Sequence, residues 1–490
     1  MLIRRLALLA LLLSTACAHQ QRPAALPGID AAIEKELANG IPSAAVAIAK
    51  NGVIVHEAAF GFADANRRAT VNTPYPLASV TKPFVATGIK LLAERGKIDL
   101  DQPASRYAGG WVPATDKYTV RQLLNHTSGL PTYATIRWSG EQSPAGDLAE
   151  MFRRYGFAAH PPGTVSEYSN IGYGLLGHII AEQSGQPLAT FLEREVFRPL
   201  GLRSTVMIES GAAPPGGARK YDETGKPLPD TFNDTPGAGN LYASVHDLVR
   251  FGMFHLDDRS SRVLTPAAKE RMRSYVEPGA LYPYYDSSRY GLGWYFRTTA
   301  NGTHVVWHEG GMPGASSILV LLPEQRLAAA VVINANDRND VAQSIANRLI
   351  AAVEPGIQPL TFVPTDGFAA YEAQPAYLGK WEGMLTVDGQ PLRCEMTFAP
   401  GKITVTFPDR GADDLLPRES TFKALANGDL LLGTFAATLP GRDIAQKPGG
   451  YVLLRLARRG EQLSGTMIAY AAPDGLRHLY PFPVRLQRVR

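Results

Sequence analysis

Ser79-Val80-Thr81-Lys82 sets a hydroxyl and an amine three residues apart, where an apolar stretch gives way to a helical pattern. On a helix, positions i and i+3 share a face, so the Lys82 amine can reach the Ser79 hydroxyl. A serine hydroxyl is a weak nucleophile until a neighbour takes its proton. Lysine can do so when burial or nearby cations lower its pKa. A second pair of this spacing, Ser420 and Lys423, lies in strand-patterned sequence. There i and i+3 point to opposite faces, so the two groups cannot cooperate. Pro83 suits the first turn of a helix. Ser79 then falls at a helix N-terminus, where its own backbone N–H and the helix dipole favour a developing oxyanion.

Two further motifs could complete such a site. Tyr168-Ser169-Asn170 offers a phenol and an amide at the start of another helical run. His308-Glu309-Gly310-Gly311 follows a short strand pattern, His304 to Trp307. Each motif alone is close to chance; their order and local context carry the argument. His126, in Asn125-His126-Thr127-Ser128-Gly129, reads as a loop-ordering residue. The histidines show no H-x-H or H-E-x-x-H spacing, and the chain has only two cysteines, Cys17 and Cys394. No metal site and no cofactor are therefore expected. Neither a G-x-S-x-G elbow nor a P-loop occurs.

With these motifs in place, the chain resembles the serine β-lactamase and penicillin-binding-protein superfamily. It looks most like the class C β-lactamase-related group of esterases, D-aminopeptidases and D-Ala-D-Ala carboxypeptidases. The resemblance also rests on LLNHTSGLP (123–131), YSNIGYGLLGHIIAEQSG (168–185), FRPLGLRSTVM (197–207), LYASVHDLVRF (241–251) and YGLGW (290–294). It implies that Ser79 is the acylated nucleophile and Lys82 its proton acceptor, or the residue that tunes one. Tyr168 would be the general base, and Asn170 would hydrogen-bond the substrate amide or Lys82. His308 and Gly310 would line the strand edge beside a small-molecule or peptide substrate. The backbone N–H groups of Ser79 and Gly311 would form the oxyanion hole. His308 stands where related enzymes carry the lysine of K-T-G. A neutral imidazole is a weaker partner for a carboxylate. That favours an esterase or D-amino-acid peptidase over a penicillin-recognising β-lactamase or carboxypeptidase. A non-catalytic envelope binding or scaffold protein on the same fold is a third reading, which the intact Ser79, Lys82 and Tyr168 oppose.

The elements that must hold these residues follow from periodicity. Residues 29–39 have helical spacing. Ser43–Lys50 and Val53–Phe60 flank Asn51-Gly52, a strong hairpin signal. Helices are expected over Val80–Glu94, Ile171–Ser184 (ending at Gly185), Val245–Leu256 and 340–353. Strands are expected at Ser317–Leu322 and Leu327–Asn334. Residues 209–239 are rich in Pro, Gly and Asp without period, and read as a long functional loop bordering the cleft. The expected architecture is an α/β (α+β) β-lactamase-like domain over 29–353: an antiparallel sheet flanked by helices, with an all-helical insertion. A linker covers 355–376. Residues 377–490 show about eight short strands and form an all-β, barrel-like (lipocalin-like) domain. Trp381 and Cys394 belong to its core.

The 490 residues carry 49 Lys and Arg against 45 Asp and Glu, close to neutral, so no basic nucleic-acid surface is expected. An apolar fraction of 45% suits a globular chain with a sizeable core. Residues 1–17 read as an export leader, with Arg4 and Arg5 before the apolar run Leu6–Leu13. Two processing routes compete. An imperfect lipobox ends at Cys17 and would put lipid on its sulfur; an A-x-A site would cleave after Ala18. The product is a periplasmic, membrane-anchored lipoprotein or a soluble periplasmic or secreted enzyme.

Overall fold

The computed structural model describes residues 26–112, 117–143, 146–283, 288–336, 338–362, 374–410, 423–427, 429–446, 449–471 and 477–489. The leader with Cys17, Ser420 and half of the expected linker (363–373) lie outside these residues.

The first unit is built on an antiparallel sheet. Its strands run, in spatial order, Arg67–Arg68, Val53–Asp64, Ser43–Lys50, Leu327–Ile333, Ala315–Leu322, His304–Met312, Tyr295–Thr298 and Arg289–Tyr290. Asn51 and Gly52 both take positive φ, 53° and 79°, as the hairpin reading requires. The central strands are buried on both faces, which explains their almost unbroken apolar runs. Successive side chains divide between two cores. Ala45, Leu319, Leu321 and Ala330 face one side with Phe84, Ile179 and Phe251. Val46, Ile318, Val320 and Val331 face the other with Ile33, Ile345 and Leu349. Helices Pro27–Leu37 and Asn339–Val353 cover that second face.

Helix Thr81–Glu94 packs between helix Asn170–Ser184 and the sheet side of the first core. Helix Val245–Leu256 lies on strands Ser43–Lys50 and Leu327–Ile333. Gly185 caps the 170–184 helix at φ 67°, in the left-handed conformation expected of a C-terminal glycine. Two expectations need correction. The insertion is not all helical: Ala134–Trp138 and Thr231–Asn233 pair as antiparallel strands within it. Nor is 209–239 one structureless loop. It holds the Thr231–Asn233 strand, the short helix Pro236–Gly239 and a bridge from Tyr221 to Ala335. Hydrogen bonds to distant strands organise that segment, and local periodicity cannot report them.

The C-terminal unit is a curled antiparallel sheet of eight strands. They run Lys402–Thr406, Gln390–Ala399, Gly379–Val387, His478–Arg488, Gln462–Ala471, Gly449–Arg459, Leu430–Ala436 and Lys423–Asn427. The two end strands do not pair with each other among the described residues. Alternate residues face inward: Leu392, Cys394, Met396 and Phe398 are buried along one strand, with exposed or half-buried neighbours between them. Trp381 is fully buried and donates its indole N–H to the Tyr377 carbonyl at 2.8 Å. Cys394 is a free buried thiol, its pKa pushed up to about 12 by burial. The start of the expected linker is docked rather than loose. Phe362 is buried against Trp307, and Asn347 holds both backbone groups of Leu360.

Candidate active site

Ser79 lies in a short 3-10 turn, Ala78–Val80, that feeds directly into helix Thr81–Glu94. Ala78 takes φ +46°, a left-handed conformation costly for a residue with a Cβ. The turn is pinned from three sides. Leu77 donates its N–H to Leu241 O at 2.8 Å, and Ser317 Oγ donates to Leu77 O at 2.9 Å. Thr81 Oγ1 donates to Ala78 O at 2.7 Å and accepts from Leu241 N at 3.1 Å. Ser79 itself is half-buried, among neighbours that are buried.

Lys82 is fully buried. Its Nζ lies 3.0 Å from Ser79 Oγ and 2.9 Å from Ala238 O. The helix delivers the i, i+3 geometry read from the sequence. Burial holds the Lys82 pKa well below the usual lysine value. An uncharged amine in contact with a hydroxyl can accept its proton. Ala238 sits in the short helix Pro236–Gly239, inside the segment that sequence patterning left without structure.

Tyr168 packs its ring 4.6 Å from Lys82 Nζ. Its carbonyl accepts from Thr132 Oγ1 at 2.7 Å. Asn170, at the head of helix Asn170–Ser184, donates to Tyr133 O at 2.8 Å. Tyr168 and Asn170 are both half-buried, so both keep an accessible side. Ser169 caps that helix with its hydroxyl, which also donates to Pro131 O at 2.9 Å. His126 is the loop-ordering residue expected. It is buried, its Nδ1 accepts from Ser169 N at 3.1 Å, and its ring centroid lies 4.4 Å from that of Tyr168.

The strand His304–Met312 supplies the other wall. Tyr295–Thr298 pairs with it only as far as Trp307, so His308 to Met312 form a strand edge on that side. Gly310 presses against the Ala78–Val80 turn. A Cβ there would lie 2.1 Å from Leu77 O and 3.0 Å from Ser79 N. Gly311, next along the strand, is exposed. Two backbone N–H groups, of Ser79 and Gly311, thus belong to adjoining segments. His308 departs from the expectation that it faces a substrate. It is 1% exposed, and both ring nitrogens are engaged: Nε2 with Tyr290 Oη at 2.9 Å and Nδ1 with Glu309 O at 2.7 Å. Burial pushes its pKa down to about 3, and a proton on Lys82 would act in the same direction. The imidazole is a neutral support for Tyr290 beneath the strand edge. Its side of the strand is packed against Tyr168, Tyr290 and Tyr295, an arrangement that spacing along the chain does not reveal.

Sequence reasoning also missed Tyr290, Tyr173 and Lys220. Tyr290 and Tyr173 pack with His126 behind Tyr168. Both are aromatic members of quoted motifs, YGLGW and YSNIGYG, which was the available signal. Lys220 is buried with its amine on Thr231 Oγ1 and near Met312 Sδ, and burial brings its pKa down to about 7. Among the described residues, no cluster of His, Cys, Asp and Glu could hold a metal ion.

The beta-lactamase family model matches residues 29–354. The chain belongs to the beta-lactamase family. It is a β-lactamase-related serine hydrolase. Penicillin-binding protein 4* of Bacillus subtilis (strain 168) is 28% identical over 336 residues, 64% of this chain and 71% of that protein. Protein flp of Staphylococcus aureus (strain NCTC 8325 / PS 47) is 29% identical over 324 residues, 63% of each chain, so this chain spans just under two thirds of its length. Among solved structures, the D-amino acid amidase from Ochrobactrum anthropi SV3 is 27% identical with a TM-score of 0.56, covering 66% of this chain and 99% of the amidase. The structure of SurE with D-Leu is 23% identical with a TM-score of 0.64, covering 94% of this chain and 99% of SurE. That last likeness is one of fold, and it runs through both units of a beta-lactamase-family chain with an appended sheet.

Proposed function

We propose that the protein is an exported acyl-serine hydrolase that cleaves esters or D-amino-acid amide and peptide bonds. One observation carries the reading: a fully buried lysine amine, which also donates to the Ala238 carbonyl, lies 3.0 Å from a half-exposed serine hydroxyl. In the first step Ser79 Oγ attacks the acyl carbon while its proton passes to the Lys82 amine. Charge on the carbonyl oxygen is taken up by the N–H groups of Ser79 and Gly311. The Tyr168 phenol, packed on the same amine, returns the proton to the departing nitrogen or oxygen as the C–N or C–O bond breaks. Water then attacks the acyl-serine, giving its proton to the same pair, and Ser79 leaves with a proton restored. Asn170 orients the substrate amide.

The substrate class is supported by the relationship to the D-amino acid amidase and by a strand edge, His308–Met312, that carries no Lys or Arg. The neutral, buried His308 offers a carboxylate nothing like the lysine of K-T-G. β-Lactams and free peptide C-termini therefore suit this cleft less well than uncharged acyl groups. Export completes the proposal, with lipid on Cys17 or cleavage after Ala18; both positions lie outside the described residues.

The test is a fluorophosphonate probe with an activity screen. Ser79 should be labelled, and Ser79→Ala should abolish both labelling and turnover. Retained labelling with activity in Ser79→Ala overturns the assignment. Short-chain p-nitrophenyl esters or D-aminoacyl anilides should turn over faster than nitrocefin, and the reverse order would favour a penicillin-recognising enzyme. Labelling by a palmitate analogue should disappear in Cys17→Ala.

A further inference from the structure

The C-terminal sheet touches the first unit at one segment in particular. Residue Glu167, immediately before Tyr168, is 2% exposed. Its Oε1 accepts from Thr132 N at 3.0 Å and from Thr466 Oγ1 at 3.4 Å, and its Oε2 lies 3.3 Å from His160 Nε2. Thr466 belongs to the C-terminal sheet, where it stands opposite Arg455 on the neighbouring strand. Arg455 lines the same small void as Glu167 and His160, and its charge acts on the carboxylate. That void holds about 10 Å³. One water needs ~10–15 Å³, so this is a packed junction and not a ligand site. Gly465 sits beside Thr466. A Cβ there would lie 2.0 Å from Arg455 O and 3.1 Å from His160 Cε1, so the His160 ring occupies the space a side chain would need.

The same segment is gripped a second time. His478 and Leu479 of the C-terminal sheet pair with Thr135 and Ala134, so strand Ala134–Trp138 joins the start of the interior strand His478–Arg488, beyond the reach of Gly379–Val387. Thr132, just before that strand, holds Glu167 through its N–H and the Tyr168 carbonyl through its hydroxyl. Tyr133, between them, holds Asn170 through its carbonyl. Both half-exposed site residues from the 168–170 motif are therefore fixed to a stretch of chain that the C-terminal sheet clamps.

We infer that the C-terminal sheet is a working part of the active site, with Arg455 and Thr466 acting as positioning residues that set Tyr168 through Glu167 and Thr132. This rests on the reading of Tyr168 as the proton-transfer group. A buried carboxylate must be met by donors and opposite charge. Burial tends to raise the Glu167 pKa, but His160, Arg455 and the Thr132 N–H outweigh it and leave the carboxylate ionised. Withdrawing the Thr466 hydroxyl and the Arg455 charge from the C-terminal side lets Glu167 and the Thr132 segment relax, and Tyr168 moves with them. A misplacement of ~1 Å can cost ~10²-fold in rate with little change in substrate binding.

The experiment uses the full chain and a chromogenic ester, reading kcat, KM and the thermal midpoint. Thr466→Val with Arg455→Met should lower kcat about tenfold or more while KM stays within about twofold. Thr466→Ser, which keeps the hydroxyl, should stay within about twofold of the parent in kcat. Should the double variant not fold, Glu167→Gln keeps an acceptor for Thr132 but drops the charge facing Arg455; it should lower kcat with KM unchanged. Parental kcat in the folded double variant, or in Glu167→Gln, overturns the inference; so does a loss shared by Thr466→Ser. Tyr168→Phe run alongside separates the two possible failures. Parental kcat in Tyr168→Phe overturns the underlying reading, whereas an impaired Tyr168→Phe beside an intact double variant overturns the positioning role alone.

Discussion

The amine of Lys82 donates to the Ser79 hydroxyl and the Ala238 carbonyl, and neither carries charge. Desolvation is therefore unopposed, and the neutral amine is favoured. The sign for catalysis follows. Activity needs the deprotonated amine, so kcat/KM should rise with pH through a limb lying well below the ordinary lysine pKa. A pH profile whose acid limb falls near the unperturbed value, ~10.4, would contradict this. Lys82→Arg puts in place a cation that cannot release a proton near neutrality. It should slow fluorophosphonate labelling of Ser79 by about 10²-fold or more, as expected when a general base is lost. His308 contributes no limb above about pH 4, because its folded pKa is near 3 and the ring stays neutral.

At the scale of elements, the site is a meeting of one helix start, one strand edge and one loop-to-helix junction. The strand edge and the helix start are separated by a glycine. Gly310 lets strand His304–Met312 approach Leu77 O and Ser79 N more closely than any Cβ permits. Gly310→Ala should push the two apart, costing about 1–3 kcal/mol by overpacking. The nucleophile turn carries Ser79 N–H, so turnover should fall far more than stability. Circular dichroism melts and ester kinetics on the same preparation would check this. A fully active Gly310→Ala would show that the turn and the strand are not held in fixed relation.

Across the whole molecule, the two units are joined by buried polar contacts as well as by strand addition. Asp443 is 2% exposed and accepts from Arg154 Nη1 through both oxygens at 3.0 Å, and from the Tyr155 hydroxyl at 2.7 Å. The rings of Tyr133, Tyr155 and Tyr480 pack at the same junction. Removing one partner of a buried pair costs ~3 kcal/mol or more, because the other is left without compensation. Asp443→Ala should lower the thermal midpoint and split the transition, with the curled sheet and the sheet-and-helix unit melting separately in calorimetry. A single transition at the parental midpoint would show that the junction is not held by this contact.

Much of this was legible along the chain. Two-sided burial makes Ser43–Lys50, Ala315–Leu322 and Leu327–Ile333 read as apolar runs, and Asn51-Gly52 fixes the hairpin between the first two strands. The Ser79–Lys82 pair was legible because helical spacing is itself a distance. The run of about eight short strands after residue 377 marked the second unit, while the pairing of Ala134–Trp138 with Thr231–Asn233 was not marked, since the two segments are remote in sequence. Tertiary structure alone decided three things: that Ala238 O, 156 residues away, is the second partner of Lys82; that His308 is buried under Tyr290; and that the C-terminal sheet reaches Glu167 beside Tyr168. The reason is common to all three. Local pattern encodes which face of an element is apolar, but which polar groups meet beneath that face depends on how the elements pack.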